Sequence, residues 1–295
     1  MKIYDCTTYY AEDMMYDLRL NILNKDVDKF VVAEATYSHS GVPKKLNFNI
    51  DNYPKFKDKI IYLVIDKEPE GIHEIKKDDI NAPALKRANS LKRIELSYNA
   101  MLKATNSATE DDLIILSDND EIPNLKSKIF LQSNKDIIVF KQLFFYYKFN
   151  LHYDRLPWFG SKSCKKKKLR SLSWLNNLKT KKYPFWRLDT FFSELKHINI
   201  EIVDDGGWHF SHLMNPKEIY EKLTNFGHHS EFELSGLQLK DIEEKVKQKK
   251  VFYNHFADKT NTDNWNYDYP LKKIDNKILP EYLISNFDKY VTWFD

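Results

Sequence analysis

Asp111-Asp112-Leu113-Ile114-Ile115-Leu116-Ser117-Asp118-Asn119-Asp120-Glu121-Ile122-Pro123 is the stretch whose reading decides the fold. Four apolar residues in a row between polar flanks predict a short strand buried on both faces, as in a parallel sheet. Such a strand delivers Asp118, Asp120 and Glu121 at its C-terminal end, where open α/β sheets bind ligands. Pro123 cannot continue the hydrogen-bond ladder and marks a turn. Asp118 and Asp120 stand two apart, so in extended geometry they share a face. Two carboxylates converging in a crevice repel each other unless a cation sits between them or one takes a proton. A hard divalent ion such as Mg²⁺ or Mn²⁺ prefers oxygen ligands and can carry phosphate oxygens on its open positions. That arrangement suits transfer of a sugar from a nucleotide. A bare Asp-x-Asp also fits a plain acidic turn; here the buried-strand signal leads straight into three acids.

Working outward, 295 residues allow one large α/β domain or two small ones with a substantial core. The chain is 42% hydrophobic and 30% charged, ordinary for a globular protein. Seven glycines against 18 tyrosines, 19 phenylalanines and 6 tryptophans is less ordinary, and suits an aromatic-rich core or stacking on sugars and bases. A net charge of +3 demands no nucleic acid partner. Cys6 and Cys164 make neither a metal motif nor a disulfide framework, so a reducing cytosol is the default location. No signal-peptide core follows Met1, and no apolar run reaches the ~18 residues of a membrane span. A soluble chain, or one peripheral to a membrane, is expected.

The first third reads as alternating strands and helices. Lys2 to Cys6, Phe30 to Ala35 and Ile60 to Ile65 are expected strands, with Glu34 closing the second. Glu12 to Leu23 has apolar residues at helical spacing. Residues 67–83 are polar with two prolines and read as a loop. Ala84 to Thr105 reads as a long helix with Leu91, Ile94, Leu96, Met101 and Leu102 on its buried side, carrying Arg87 and Arg93. Ile137 to Phe149 suggests a strand or two. Trp158-Phe159-Gly160-Ser161 reads as a turn before the lysines 165–168, a run that is either a solvated face or a phosphate contact. Pro216 opens a helix at its favoured first position, running to Phe226 and followed by His228. The pattern predicts an α/β fold with a mixed, mostly parallel sheet flanked by helices. Residues 1–235 form the expected main domain, and 236–295 a helical and irregular extension packed on it.

A second constellation is Asp204-Asp205-Gly206-Gly207-Trp208-His209. A carboxylate at a strand end can act as general base for a sugar hydroxyl, and the glycines let backbone approach a ligand. Histidine nitrogen can complete a shell around Mn²⁺. A tight turn with a buried tryptophan is the alternative.

At these residues the chain resembles glycosyltransferase family 17, best known for bisecting β-1,4-N-acetylglucosaminyltransferases. Tyr9-Tyr10-Ala11-Glu12 with Leu18-Arg19-Leu20 resembles the family's opening F-N-E…R-L. Val27 to Ala35, then Ser40-Gly41-Val42-Pro43-Lys44, resembles V-D-x-F-V-x-x-E…G-x-P-K. Leu116 to Pro123 resembles S-D-x-D-E-I-P, and Gly206 to Ser211 resembles G-G-W-H-F-S. Around Arg87 and Arg93 the family's W-E-R-E…Q-R is replaced except for its arginines. The resemblance covers roughly residues 1–230 and implies a GT-A (Rossmann-like) fold. It implies inverting, metal-dependent transfer from a UDP-sugar, such as UDP-N-acetylglucosamine, to a glycan or glycolipid. Asp118 and Asp120 would hold Mn²⁺ or Mg²⁺ and the donor diphosphate. Asp205, Asp204 or Glu121 would be the base, and His209, His212 or His228 would join the metal. Glu34, Lys44, Arg87, Arg93 and Gly160 are further donor-binding candidates. A bacterial or viral catalytic domain building a surface glycan is the matching source.

The rivals are three: a sugar nucleotidyltransferase, a non-catalytic carbohydrate-binding module, and a nucleic-acid binder using the lysine run. The first needs a glycine-rich phosphate loop near the first strand, and Tyr4 to Asp13 has no glycine. The near-neutral charge argues against the third.

Overall fold

The run Leu113–Ser117 forms a strand in which every residue is buried. The computed structural model describes residues 1–76, 78–256 and 262–295. Residues 77 and 257–261, parts of the expected loop and of the C-terminal extension, lie outside the described residues. In chain order the first strands are β1 (Ile3–Thr8), β2 (Lys29–Ala35), β3 (Ile60–Ile65) and β4 (Leu113–Ser117). β5 (Glu121–Pro123), β6 (Ile137–Phe140), β7 (Leu143–Tyr146) and β8 (Leu151–His152) follow. After them come β9 (Lys162–Lys165), β10 (Ile200–Val203) and β11 (Gly207–Ser211).

A seven-stranded sheet has the order β10-β6-β9-β4-β1-β2-β3. β1 is parallel to β2 and β4, β2 to β3, and β10 to β6. The exception is β9, antiparallel to both β4 and β6. The fold is thus the expected α/β arrangement with a largely parallel sheet. Continuous apolar runs such as Phe30-Val31-Val32-Ala33 are what burial on both faces requires. Helix Asp13–Leu23 covers one face with Met15, Leu18, Leu20 and Leu23, all in the main core. Helix Ala82–Ala100 covers the other.

That second helix follows the sequence reading at Ile94, Leu96, Met101 and Leu102, which pack on the core, and departs from it elsewhere. Leu91 is 48% exposed, while Asn89, Ser90, Arg93, Ser97 and Tyr98 are buried. The inner face meets loops whose carbonyls need donors. Ser90 Oγ and Arg93 Nη1 both donate to His39 O, at 3.0 and 3.1 Å, and Asn89 exchanges two hydrogen bonds with the His73 backbone. Buried carbonyls without sheet partners are satisfied here by side chains.

The run Ile137 to Phe149 splits between two sheets. β6 stays in the large sheet, and β7 joins a second one ordered Lys272–Lys273, β8, β7, β11, β5. The chain crosses between sheets twice side by side, at Lys141-Gln142 and at Gly206-Gly207. Gly206 N donates to Lys141 O at 2.9 Å, and a Cβ on Gly206 would fall 2.4 Å from Lys141 N. Gly207 has φ +114°, where a side chain is strained, and its Cβ would meet Ile122 O at 2.2 Å. Pro123 ends its strand and leads into a turn, as expected. It is the last residue of β5, an edge strand, where a missing N–H is tolerated.

After residue 236 come helix Leu239–Gln248, the added strand Lys272–Lys273 and helix Glu281–Ser285. Leu283 and Tyr290 are buried in the main core. Among the described residues no helix is long and apolar enough to cross a membrane. Cys6 and Cys164 are buried and unpaired.

Candidate active site

The three acids of the deciding stretch separate into different roles because residues 118–121 fold as a turn, with Glu121 N donating to Asp118 O at 3.0 Å. The alternation that would put Asp118 and Asp120 on one face therefore does not apply. Arg19 holds this turn from below. Its guanidinium forms a bidentate, fully buried pair with Asp5 of β1, with Nε–Oδ2 at 2.7 Å. Its Nη1 donates to the carbonyls of Glu121 and Asp118, at 2.5 and 3.3 Å. β11 clamps the other side, His209 opposing Glu121 while Phe210 N donates to Asp120 O at 2.8 Å.

Glu121 is part of the frame. Its carboxylate is 4% exposed, and accepts from Asp118 N at 3.0 Å and Trp158 Nε1 at 2.5 Å. Gly160 lies against it, with a built Cβ only 2.2 Å from the carboxyl. Gly160 thus makes room for Glu121.

Asp120 lies beside a cavity, and Asp118 is exposed. Asp118 Oδ1 accepts from the buried Tyr98 hydroxyl at 2.9 Å. Asp118 is exposed by area, and the atoms packed around its carboxyl, then the charges of Glu121 and Asp120, push its pKa up. Asp120 shifts the other way: burial would raise it, but Lys222 and then His209 hold its carboxyl below the usual range. Lys222 Nζ lies 3.5 Å from Asp120 Oδ2 and 3.1 Å from Glu12 Oε1, and His209 Nε2 lies 3.5 Å from Asp120 Oδ1. The His209 ring stacks on Phe144 at 4.5 Å and 15°. His212 adopts φ +56°, strained for a histidine, and burial together with the Lys222 ammonium brings its pKa down to about 3.

A cavity of about 270 Å³ opens beside Asp120, near the lower end of the ~300–1,000 Å³ usual for small-ligand pockets. Tyr10, Phe210 and Trp293 give it aromatic walls, and Glu12, Asp13, Glu218, Glu221 and Lys222 give it charge. Four of its five carboxylates are committed. Glu12 and Asp120 pair with Lys222, Asp13 accepts from Tyr9 and Tyr53, and Glu218 caps its own helix through Asn215 N. Glu221 remains, its carboxylate making no hydrogen bond or ion pair among the described residues.

Several sequence candidates lie elsewhere. Asp205 accepts from Ser127 Oγ, and Asp204 pairs with Lys141 at 2.8 Å. The sheet crossing fixes both just before β11, on the Pro123 side of the pairing, and neither lines the cavity. Glu34 is fully buried and accepts from Asn47 N, Phe48 N, Tyr62 and Lys44. It is a hub for the loop after β2, and Lys44 is spent on it. Arg93 pairs with Glu68 at 2.8 Å, while Arg87 donates to Gly227 O. His228 sits 3.3 Å from Glu231, and no contact among the described residues joins it to Asp120. Lysines 165–168 fall at the wrong end of β4: β9 is antiparallel, so Lys165 opposes Leu113 at the start of that strand. Arg19, Tyr98, Glu221 and Lys222 went unread as site residues. Arg19 alone left a signal, standing on the line Met15-Arg19-Leu23 of a buried helix face.

For a divalent ion the donor set is two carboxylates. Among the described residues no group of three or more His, Cys, Asp or Glu side chains gathers to hold a metal. Mg²⁺-type sites often use one or two carboxylates and leave the other positions to phosphate and water. Asp120 lines the cavity and Asp118 does not, while the charges of Glu121 and Asp120 crowd the Asp118 carboxyl.

A family model described as glycosyltransferase family 17 matches residues 1–293. No curated protein matches the chain in sequence. Among solved structures, the inositol-1-phosphate CTP transferase from T. maritima is 12% identical, with 76% of this chain and 96% of that one covered at TM-score 0.35. HddC from Yersinia pseudotuberculosis is 11% identical, with 69% and 91% covered at TM-score 0.33.

Proposed function

The chain belongs to glycosyltransferase family 17, and from that premise we propose that it moves a sugar from a UDP-sugar, UDP-N-acetylglucosamine first, to a hydroxyl of a glycan or glycolipid with inversion. The observation that carries the reading is the family match over residues 1–293, and the exposed carboxylate of Glu221 on the wall of the cavity beside Asp120 supports the choice of base. The acceptor hydroxyl, held against Glu221, gives its proton to that carboxylate. Its oxygen attacks the anomeric carbon from the face opposite the diphosphate. The old carbon–oxygen bond breaks, and its electron pair leaves on the β-phosphate oxygen. Tyr10 and Trp293 offer flat apolar faces to a sugar ring. Asp118 and Asp120 would hold a divalent ion, which when bound supplies positive charge to the leaving diphosphate.

The test is transfer and UDP release with a panel of nucleotide sugars and free oligosaccharide acceptors. Glu221→Gln should lower kcat by about 10²–10⁴, the range for a positioned general base, while UDP binds as before. Wild-type turnover in that variant would remove Glu221 from the role. UDP release from no donor would sink the reading as a whole.

A further inference from the structure

The stretch between helix Leu172–Asn177 and β10 lines no part of the cavity, and it presents an apolar surface to solvent. Phe185, Trp186, Leu188, Phe191 and Phe192 are 67–89% exposed, five large hydrophobic side chains within eight residues. Exposed apolar residues are ordinary when scattered singly, whereas a contiguous group marks a surface that meets something. The stretch is tied to the fold at both ends. Lys179 N donates to Leu195 O and Trp174 Nε1 to Glu194 O, both at 2.9 Å. Thr190 is buried, and Leu195 packs on the core beneath the face that helix Ala82–Ala100 covers. The exposed rings therefore stand on a fixed base.

Charge decides what this surface meets. Residues 161–196 hold eleven Lys or Arg and two Asp or Glu, a local +9 in a chain whose total is +3, so the remainder carries −6. Both acids are already neutralised nearby. Asp189 accepts from Arg187 at 2.7 and 2.8 Å and from Lys196 at 2.7 Å, and Glu194 lies 2.8 Å from Arg170. Lys168, Lys179 and Lys181 are exposed, and their ammonium groups make no hydrogen bond or ion pair among the described residues. Aromatic rings beside unpaired lysines suit the boundary between lipid headgroups and acyl chains, where rings sink in and ammonium groups meet phosphate. A second copy docking through the same patch would set like charges against each other.

We propose that residues 179–192 form a docking surface for an anionic membrane, with the rings entering the headgroup boundary and the lysines facing lipid phosphates. Such binding needs neither donor nor acceptor, so it stands apart from the transferase reading. β10 is the outer strand of the large sheet, and β4, whose end leads to Asp118 and Asp120, lies three strands further in. Docking at this edge holds the protein at a membrane without occupying the cavity.

Cosedimentation tests this with vesicles of phosphatidylcholine alone and of phosphatidylcholine mixed with phosphatidylglycerol. Wild-type protein should bind the mixed vesicles about tenfold more tightly or better, and added salt should weaken that binding. Lys179→Gln with Lys181→Gln should lower it roughly thirtyfold, at about fivefold per lysine near an anionic surface. Trp186→Ser with Phe192→Ser should lower it about tenfold or more, since less apolar area enters the boundary. All four side chains are exposed, so thermal melts of the variants should match wild type. Trp186 is the one exposed tryptophan among the described residues. Tryptophan emission should shift to the blue on mixed vesicles, and Trp186→Phe should lack the shift. No binding to mixed vesicles, or binding that both double variants leave unchanged, overturns the proposal. Equal binding to the two kinds of vesicle overturns it as well, because the lysines would then have no role. A concentration-dependent dimer without lipid, broken by Trp186→Ser with Phe192→Ser, would assign the surface to a second copy instead.

Discussion

Glu121 shows how a residue legible as an acid can be misread in role. Its two oxygens accept from two N–H donors, the Asp118 amide and the Trp158 indole. A glutamine has the same shape but presents an NH₂ to one of those donors. Glu121→Gln should therefore destabilise the fold by about 1–3 kcal/mol, the loss expected for an unsatisfied buried donor. It should also loosen the Asp118 backbone and lower turnover. Urea midpoints and kcat measured together check this, and unchanged stability would show the carboxylate to be replaceable. The sequence placed Glu121 beside Asp118 and Asp120 but could not reveal its partners, because Trp158 and Gly160 arrive from the segment between β8 and β9. Asp204 and Asp205 show the converse. Their acidic character was visible, whereas the crossing that turns them toward Lys141 and Ser127 was not.

Among the elements, β4 was legible because an uninterrupted apolar run has few other uses. Helix Ala82–Ala100 was partly misread because the part of its inner face that meets loops is polar, while Ile94 and Leu96 pack on the sheet's apolar core as expected. Helix Asp13–Leu23 joins packing to function through Arg19. Removing Arg19 alone strands the buried Asp5 carboxylate, and Arg19→Met should destabilise the protein by about 3–5 kcal/mol. Replacing both partners, as Asp5→Leu with Arg19→Met, should recover much of that stability, since no buried charge is left uncompensated. The double variant still lacks the donors to the Asp118 and Glu121 carbonyls, so its turnover should stay low. Chemical denaturation and steady-state kinetics on the three variants separate the effects. Recovery of both properties would mean that Arg19 only fills space.

At the scale of the molecule, the largely parallel sheet followed from the spacing of buried runs, and that much of the fold was readable. The second sheet was not, because β5, β7, β8 and β11 are short and their pairing is non-local. The C-terminal stretch, read as an extension, places Leu283 at 0% exposure in the same core as helix Asp13–Leu23. Leu283→Ala should destabilise by about 2–5 kcal/mol. Because the core is shared, the lower melting point should appear in one calorimetric transition. A separate early transition would show that the tail melts independently.

The order of parts along the chain has a consequence for biosynthesis. Asp118, Asp120 and Glu121 leave the ribosome before Trp158 and Gly160, which frame Glu121, and well before His209 and Lys222, which balance Asp120. A growing chain therefore carries the signature acids for much of its synthesis without the groups that set their geometry and charge. The motif is local in sequence, but the site is one of the last things the chain completes.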